Sequence, residues 1–231
     1  MMYKVTVLIA IYKSGEFIDS KIKSIIQMRD FNTTEFIFLN CQNLHQESEK
    51  IKPLCEKYSN IRQLHFDQHI NLYMTWNAGI QLSNSEYITN YNADDQWHPK
   101  YIRKCVDYLE NNKDIAIVST KVLKTHTPNQ IYPNWSFHDR MPVYAYPLSS
   151  AGPSPMWRRS LHDVYGMFGD YRVIGDARFW EQLLAGNERF GLLEEDLVLY
   201  YVTSESLERR VDGTTGQTYI DMDLSKLPDK K

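Results

Sequence analysis

Residues 5–11 form an unbroken run of β-branched and apolar side chains, the pattern of a strand buried on both faces of a parallel sheet. Lys13-Ser14-Gly15 reads as a turn. Phe17, Ile18, Ile22, Ile25 and Ile26 then recur at helical spacing. The alternation repeats along the first half of the chain. Residues 35–39 are a second buried run ending at Asn40, Ile51, Leu54 and Tyr58 mark a second helix, and residues 61–66 give a third strand. Leu72, Trp76, Ile80 and Leu82 place a helix ahead of the run at Tyr87-Ile88. Tyr101, Cys105, Tyr108 and Leu109 place another ahead of residues 115–118. Strand and helix alternating in this way predict βαβ units in an α/β domain, with ligands gathered beyond the carboxyl ends of the strands. Tyr12, Asn40 and the stretch Tyr91-Asn92-Ala93-Asp94-Asp95 all fall at such ends, so three strands are expected to converge on one crevice.

Two adjacent carboxylates at the exit of a strand repel unless a cation lies between them. A hard divalent ion such as Mg²⁺ takes one or two carboxylates together with phosphate oxygens. The alternative is a strand-to-helix loop in which Asp95 caps the helix that Pro99 helps to begin. Beyond residue 126 the texture changes, and six prolines between Pro128 and Pro155 interrupt an aromatic-rich stretch with little periodicity. That stretch reads as irregular structure, either a lid or acceptor-facing surface or a long plain loop. Residues 159–165 suggest a short helix ended by Gly166. Asp176, Phe179, Trp180, Leu183 and Leu184 suggest another, ended by Gly186. Short strands are expected at 191–193 and 198–202, separated by an acidic turn, Glu194-Glu195-Asp196. The chain after Arg210 is polar.

Composition narrows the classes. The 231 residues are 42% hydrophobic and 24% charged, which marks a folded globular chain rather than a disordered one. A net charge of −3 lacks the basic excess of a nucleic-acid binder. Sixteen tyrosines suit stacking on sugars or bases as well as ordinary packing. Cys41, Cys55 and Cys105 have neither zinc spacing nor a disulfide framework and read as reduced thiols. No run approaches the roughly 20 apolar residues of a membrane span, and the opening run is too short for a signal peptide. The expectation is a cytoplasmic protein whose membrane contact, if any, is peripheral.

Four stretches, taken in order, resemble the family 2 glycosyltransferases: Val5-Thr6-Val7-Leu8-Ile9-Ala10-Ile11-Tyr12; Leu72-Tyr73-Met74-Thr75-Trp76-Asn77-Ala78-Gly79-Ile80; residues 86–99 with Asn92-Ala93-Asp94-Asp95; and an acceptor-side group. That last group comprises residues 154–161, Gly166-Met167-Phe168 and Gly175-Asp176-Ala177-Arg178-Phe179-Trp180. The resemblance implies a GT-A fold over a single domain, residues 1–231. Its nucleotide-binding half would be 1–121, its acceptor-binding half 122–210, and its polar tail 211–231. It implies an inverting, hexosyltransferase-type enzyme that uses Mn²⁺ or Mg²⁺ to move one sugar from a nucleoside-diphosphate donor, a UDP-sugar first, to a glycan or lipid-linked acceptor in surface-glycan or polysaccharide biosynthesis. In that reading Asp94 holds the metal and Asp176 is the base, opening its helix where an N-cap role is the alternative. Ala10, Tyr12, Asn40, Asn77, Asn92, Ala93, Asp95 and Trp180 line the nucleotide-sugar site. Asp95 would orient metal-bound water or the donor sugar, or cap the next helix. Trp180 would wall the sugar pocket or join the core.

Departures from the family pattern are visible. Asn92 stands where the first Asp of a DxD motif is usual, Asn40 where an Asp commonly meets uracil, Trp76 where many members have Arg, and Ala10 where Pro is usual. Polymerising members carry a Gln-x-x-Arg-Trp motif that Met156-Trp157-Arg158-Arg159 does not match, so single addition is expected. Two other classes compete. A nucleotidyltransferase shares the alternating architecture but relies on a glycine-rich loop after the first strand, where only Gly15 occurs. An inactive nucleotide-sugar-binding module would fit Asn92 and Asn40.

Overall fold

The computed structural model describes residues 3–41, 45–141, 151–171 and 174–203. The expected alternation is present: β1 (Val5–Ile11), α1 (Ile18–Ile26), β2 (Thr34–Asn40), α2 (His45–Lys57), β3 (Ile61–His65), α3 (Leu72–Leu82) and β4 (Tyr87–Asn90). There follow β5 (Gln96–Trp97), α4 (Tyr101–Asn111), β6 (Ile115–Thr125), β7 (Asp139–Met141), β8 (Met156–Arg158), α5 (Leu161–Tyr165), α6 (Gly175–Ala185) and β9 (Arg189–Tyr201). One sheet takes all nine strands in the order β3-β2-β1-β4-β8-β6-β9-β5, with β7 beside β6. The β3-β2-β1-β4 part is parallel, and β8 enters antiparallel between β4 and β6.

Strand pleating sorts the core into two layers. Val5, Val7, Ile9 and Ile11 of β1, with Phe36 and Phe38 of β2, pack against Ile18, Ile25, Ile51, Tyr101 and Leu109 from α1, α2 and α4. Leu8, Ile37, Leu39 and Ile88 face the other way, toward Trp76 and Ile80 of α3 and toward Leu161, Phe179, Trp180 and Leu183 of α5 and α6. Contact of α3 with the sheet is close enough that a Cβ on Gly79 would lie 2.6 Å from Leu8 Cδ2, so any larger residue there would force Leu8 or the helix to shift.

The second half differs from the expectation in three ways. β6 runs on to Thr125 instead of ending at Val118. Met156–Arg158, which falls between the irregular stretch ending at Pro155 and the short helix expected from residue 159, is a strand. The two strands expected around an acidic turn are one strand, β9, whose pairing with β6 shifts register between Leu193 and Asp196. The acidic residues at that bulge are ion-paired: Glu194 with Lys121, Glu195 with Lys104 and Asp196 with Arg140. Positions 142–150, part of the expected lid or acceptor surface, and the polar tail 211–231 lie outside the described residues. Among the described residues no helix is long and apolar enough to cross a membrane.

Candidate active site

Because β1, β2 and β4 are parallel neighbours, Tyr12, Asn40 and residues 91–95 come out at the same edge of the sheet. β3 is parallel to β2, so the start of α3, which follows β3, lies at that edge too. The acidic loop there is held by stacked rings. Tyr91 lies 3.8 Å from Trp97 at 9°, and Trp97 lies 4.0 Å from Tyr101. The Tyr91 hydroxyl accepts the Trp97 N–H (2.9 Å) and shares a hydrogen bond with Ser24 Oγ (2.9 Å). Trp97 Nε1 donates to Ser154 Oγ at 3.0 Å. Clamped at both ends in this way, the five residues between have little freedom.

Within the loop the two carboxylates differ. Asp94 is partly exposed, whereas Asp95 is fully buried. Asp95 Oδ1 accepts the Tyr201 N–H (3.1 Å) and Oδ2 accepts from Asn92 Nδ2 (2.9 Å). It does not cap α4, whose N-cap is Lys100, and both its oxygens are taken by protein groups inside the fold. Both expectations for Asp95 are corrected: its side chain ties the loop to β9, and the contact of Asn92 runs to it. Burial, and then the neighbouring Asp94, push the Asp95 carboxyl well above its ordinary range, while Lys21 opposes them. Ala93 is buried in the same turn.

Lys21 was not singled out from the sequence. It is completely buried on α1, its Nζ donates to the Asp95 carbonyl oxygen at 2.6 Å, and it stands 3.0 Å from the Tyr91 ring centroid. Burial lowers its pKa well below that of a free lysine, and Asp95 and then Asp94 pull it back up. The amine is placed as a cation would be, between a carbonyl oxygen, an aromatic face and two carboxylates.

A second constellation joins α3 to the start of α6. Asn71 caps α3 through Met74 N–H (2.9 Å), and its Nδ2 donates to Asp170. The Tyr73 hydroxyl donates to Asp176 Oδ1 at 3.0 Å. Burial, then the Asp176 charge, raise the Tyr73 pKa, so the phenol stays protonated as a donor. This bond fixes Asp176 at the edge where α3 begins, the edge that carries the acidic loop. Asp176 is not the helix cap: Ile174 occupies that position, with a left-handed backbone (φ 60°) and no side-chain capping bond. Tyr73 and Asn71, missed in the sequence, sit within and just before residues 72–80, which read simply as a helix.

Two expected donor contacts are corrected. Asn77 is buried, with Nδ2 donating to the Phe168 carbonyl (2.8 Å) and Oδ1 accepting the Phe168 N–H (3.0 Å), so its amide pins the 168 loop to α3. Trp180 is 2% exposed within a group of rings that includes Trp157, Phe168, Phe179 and Phe190, so it is core and not a pocket wall. Asn40 is buried at the end of β2 and donates Nδ2 to Ser48 Oγ (2.8 Å). Tyr12 is exposed, with its ring 4.6 Å from that of His69. Ala10 is half-buried beside Leu39.

α6 approaches Tyr73 so closely that a Cβ on Gly175 would lie 2.5 Å from the Tyr73 ring. That ring is buried and has little room to move. Gly175→Ala is therefore expected to cost about 1–3 kcal/mol by overpacking and to pull Asp176 off the Tyr73 hydroxyl. A lower melting temperature together with reduced turnover checks this; a variant as stable and active as wild type would show that the contact is slack.

These elements define a GT-A-type α/β protein with an acidic loop at the carboxyl edge of its sheet. The family model for glycosyl transferase family 2 matches residues 6–172, and the chain belongs to that family. An uncharacterized glycosyltransferase of Methanocaldococcus jannaschii is 23% identical over 210 residues, covering 86% of this chain and 70% of that one. One from Haemophilus influenzae is 24% identical over 116 residues, covering 50% of this chain and 36% of its own length. Among solved structures, S. aureus TarS 1–349 in complex with UDP-GlcNAc superposes with a TM-score of 0.71 at 12% identity, over 87% of this chain and 59% of that one. The mannosyltransferase PcManGT of Pyrobaculum calidifontis, in complex with GDP-Man and Mn²⁺, gives 0.68 at 13% identity, over 89% and 59%. The chain thus spans about three fifths of each of these two structures. These likenesses bear out the GT-A fold.

Proposed function

We propose that the protein transfers one sugar, with inversion, from a nucleoside diphosphate to a hydroxyl of a glycan or lipid-linked acceptor in surface-glycan or polysaccharide assembly. The observation that carries this reading is the Tyr73–Asp176 hydrogen bond, which sets a carboxylate at the sheet edge bearing the acidic loop. In the reaction the acceptor oxygen bonds to the anomeric carbon from the face opposite the leaving group. The carbon–oxygen bond to the diphosphate breaks with its electrons going to the diphosphate, and the hydroxyl proton passes to Asp176. Tyr73 orients Asp176 for that transfer.

Among the described residues no group of three or more His, Cys, Asp or Glu could hold a metal ion by itself. One half-exposed carboxylate, Asp94, nevertheless suits Mg²⁺ or Mn²⁺, which take one or two carboxylates and fill the rest of their shell with diphosphate oxygens and water. Such an ion supplies Lewis-acid charge to the departing diphosphate. Tyr12, exposed at the end of β1, offers a ring to the base. UDP is the first candidate because a relative of the same fold is bound to UDP-GlcNAc, with GDP the second from the GDP-Man complex.

The test is thermal denaturation with UDP, GDP and ADP, each with and without Mn²⁺ or Mg²⁺. At a hundred times its Kd, the correct nucleotide stabilises by about 2.7 kcal/mol, a rise of about 5–10 °C for a chain of this size. If none of the three shifts the melting temperature with either metal, the donor reading fails.

A further inference from the structure

The sheet edge opposite the acidic loop carries a cavity of about 500 Å³, a size typical of small-molecule sites. It lies where the parallel strands β1, β2 and β3 begin, beside the turn from α3 to β4. β1 is seven residues long, so roughly 20 Å of strand separates this cavity from the catalytic edge. Its polar groups are fixed in place. Glu35, at the start of β2, is buried, and the completely buried Thr6 hydroxyl lies 2.7 Å from Glu35 Oε2 and from the Ser83 and Ser85 hydroxyls. Arg62 Nη2 stands 2.7 Å from Glu35 Oε1 and donates to the Leu82 carbonyl at 3.3 Å. Both Arg62 contacts use one nitrogen, so Nη1 and Nε keep hydrogens to give. The carboxylate, the guanidinium and the Ser85 hydroxyl are thus set before any ligand arrives, which lowers the cost of binding one.

The lining selects a class of ligand. Among the described residues around the cavity only Glu35 and Arg62 are charged, and their charges cancel. A phosphate or a metal ion therefore meets no net charge there. The Ser59 and Ser85 hydroxyls and the Asn84 amide add neutral donors and acceptors, while the Tyr3 ring and Leu82 add apolar surface. An uncharged molecule with several hydroxyls and an apolar C–H face matches this mixture, and a pyranose is such a molecule. We propose that the cavity is a second saccharide site, which takes one or a few neutral pyranose units of a glycan away from the catalytic edge. A glycan seated there stays close to that edge without occupying it, which raises its effective concentration. The inference stands apart from the transfer reading, because binding here needs neither donor nor metal.

The experiment is saturation-transfer NMR titration of the purified protein with methyl glycosides of glucose, galactose, mannose and N-acetylglucosamine, and with disaccharides of the same sugars. At least one is expected to bind wild type with a Kd of about 1–10 mM or tighter. Ser59→Trp sets an indole into the cavity from an exposed position, and Arg62→Met removes the guanidinium. Each should weaken binding at least about tenfold, in line with the loss of a hydrogen bond to a charged group. Arg62→Met leaves Glu35 without its cation, so Ser59→Trp carries the test if that variant does not fold.

If none of these sugars binds wild type at millimolar concentration, the inference falls. Unchanged binding in either folded variant also overturns it, because the sugar then sits elsewhere. Displacement of the sugar by inorganic phosphate would show a site for anions and overturn the saccharide assignment. None of these results touches the transfer reading, which stands or falls on the nucleotide shifts described above.

Discussion

Asp176→Asn is expected to reduce sugar transfer by about 10²–10⁴, the usual contribution of a positioned base, with donor binding and melting temperature little changed. The asparagine Oδ1 can still accept the Tyr73 hydroxyl, so the hydrogen bond at 3.0 Å survives the substitution. The helix start survives too, because the N-cap position belongs to Ile174. What the variant loses is a group able to take the acceptor proton as the glycosidic bond forms. Initial rates with a donor sugar, compared with nucleotide affinity from thermal shift, separate the two properties. Transfer at a near wild-type rate, or a product that retains the donor's anomeric configuration, would remove Asp176 from the base role.

The second large effect is expected at the acidic loop. Asp94→Ala should abolish the dependence of nucleotide binding on Mn²⁺ while leaving the protein folded. Asp94 is partly exposed, and the loop's shape is set by Tyr91, Trp97, Lys21 and Asp95. Asp95 cannot take over, since its oxygens face Tyr201 and Asn92 inside the protein. Nucleotide titrations with and without Mn²⁺ provide the check; an unchanged metal dependence in Asp94→Ala would place the metal elsewhere.

The first half of the fold was legible because β1 and β2 are dominated by apolar runs and the helices between the strands carry apolar faces. Legibility fell where polar residues enter a buried strand. Ser119, Thr120 and Lys121 hid the continuation of β6, although Ser119 and Thr120 are buried in it. Glu194, Glu195 and Asp196 looked like a turn because the cations they meet, Lys121, Lys104 and Arg140, come from three other elements. The three residues of β8 are too few for any period to show.

The site was read unevenly for a related reason. Side chains that point out from a strand end could be placed by topology, which found the acidic loop and Tyr12. Those whose role depends on a distant partner could not. Asn77 looked like a donor contact because nothing local shows that Phe168 takes both ends of its amide. Lys21 drew no reading at all, yet its position among Ile18, Ile22 and Ile25 was a signal: a lysine on the apolar stripe of a helix must meet a partner inside.

The antiparallel placement of β8 bears on how the polypeptide emerges during synthesis. β4 pairs on one side with β1 and on the other with β8, which lies about seventy residues later in the chain, and β8 in turn separates β4 from β6. A nascent chain that has reached the end of β6 therefore holds a partly formed sheet with the open backbone edge of β4 at its centre. That edge waits until Met156–Arg158 has left the ribosome, and pairings of such long sequence separation form slowly. The vulnerable interval for misassembly thus falls between synthesis of the acidic loop and synthesis of β8, when the loop's rings still lack Ser154 as a partner.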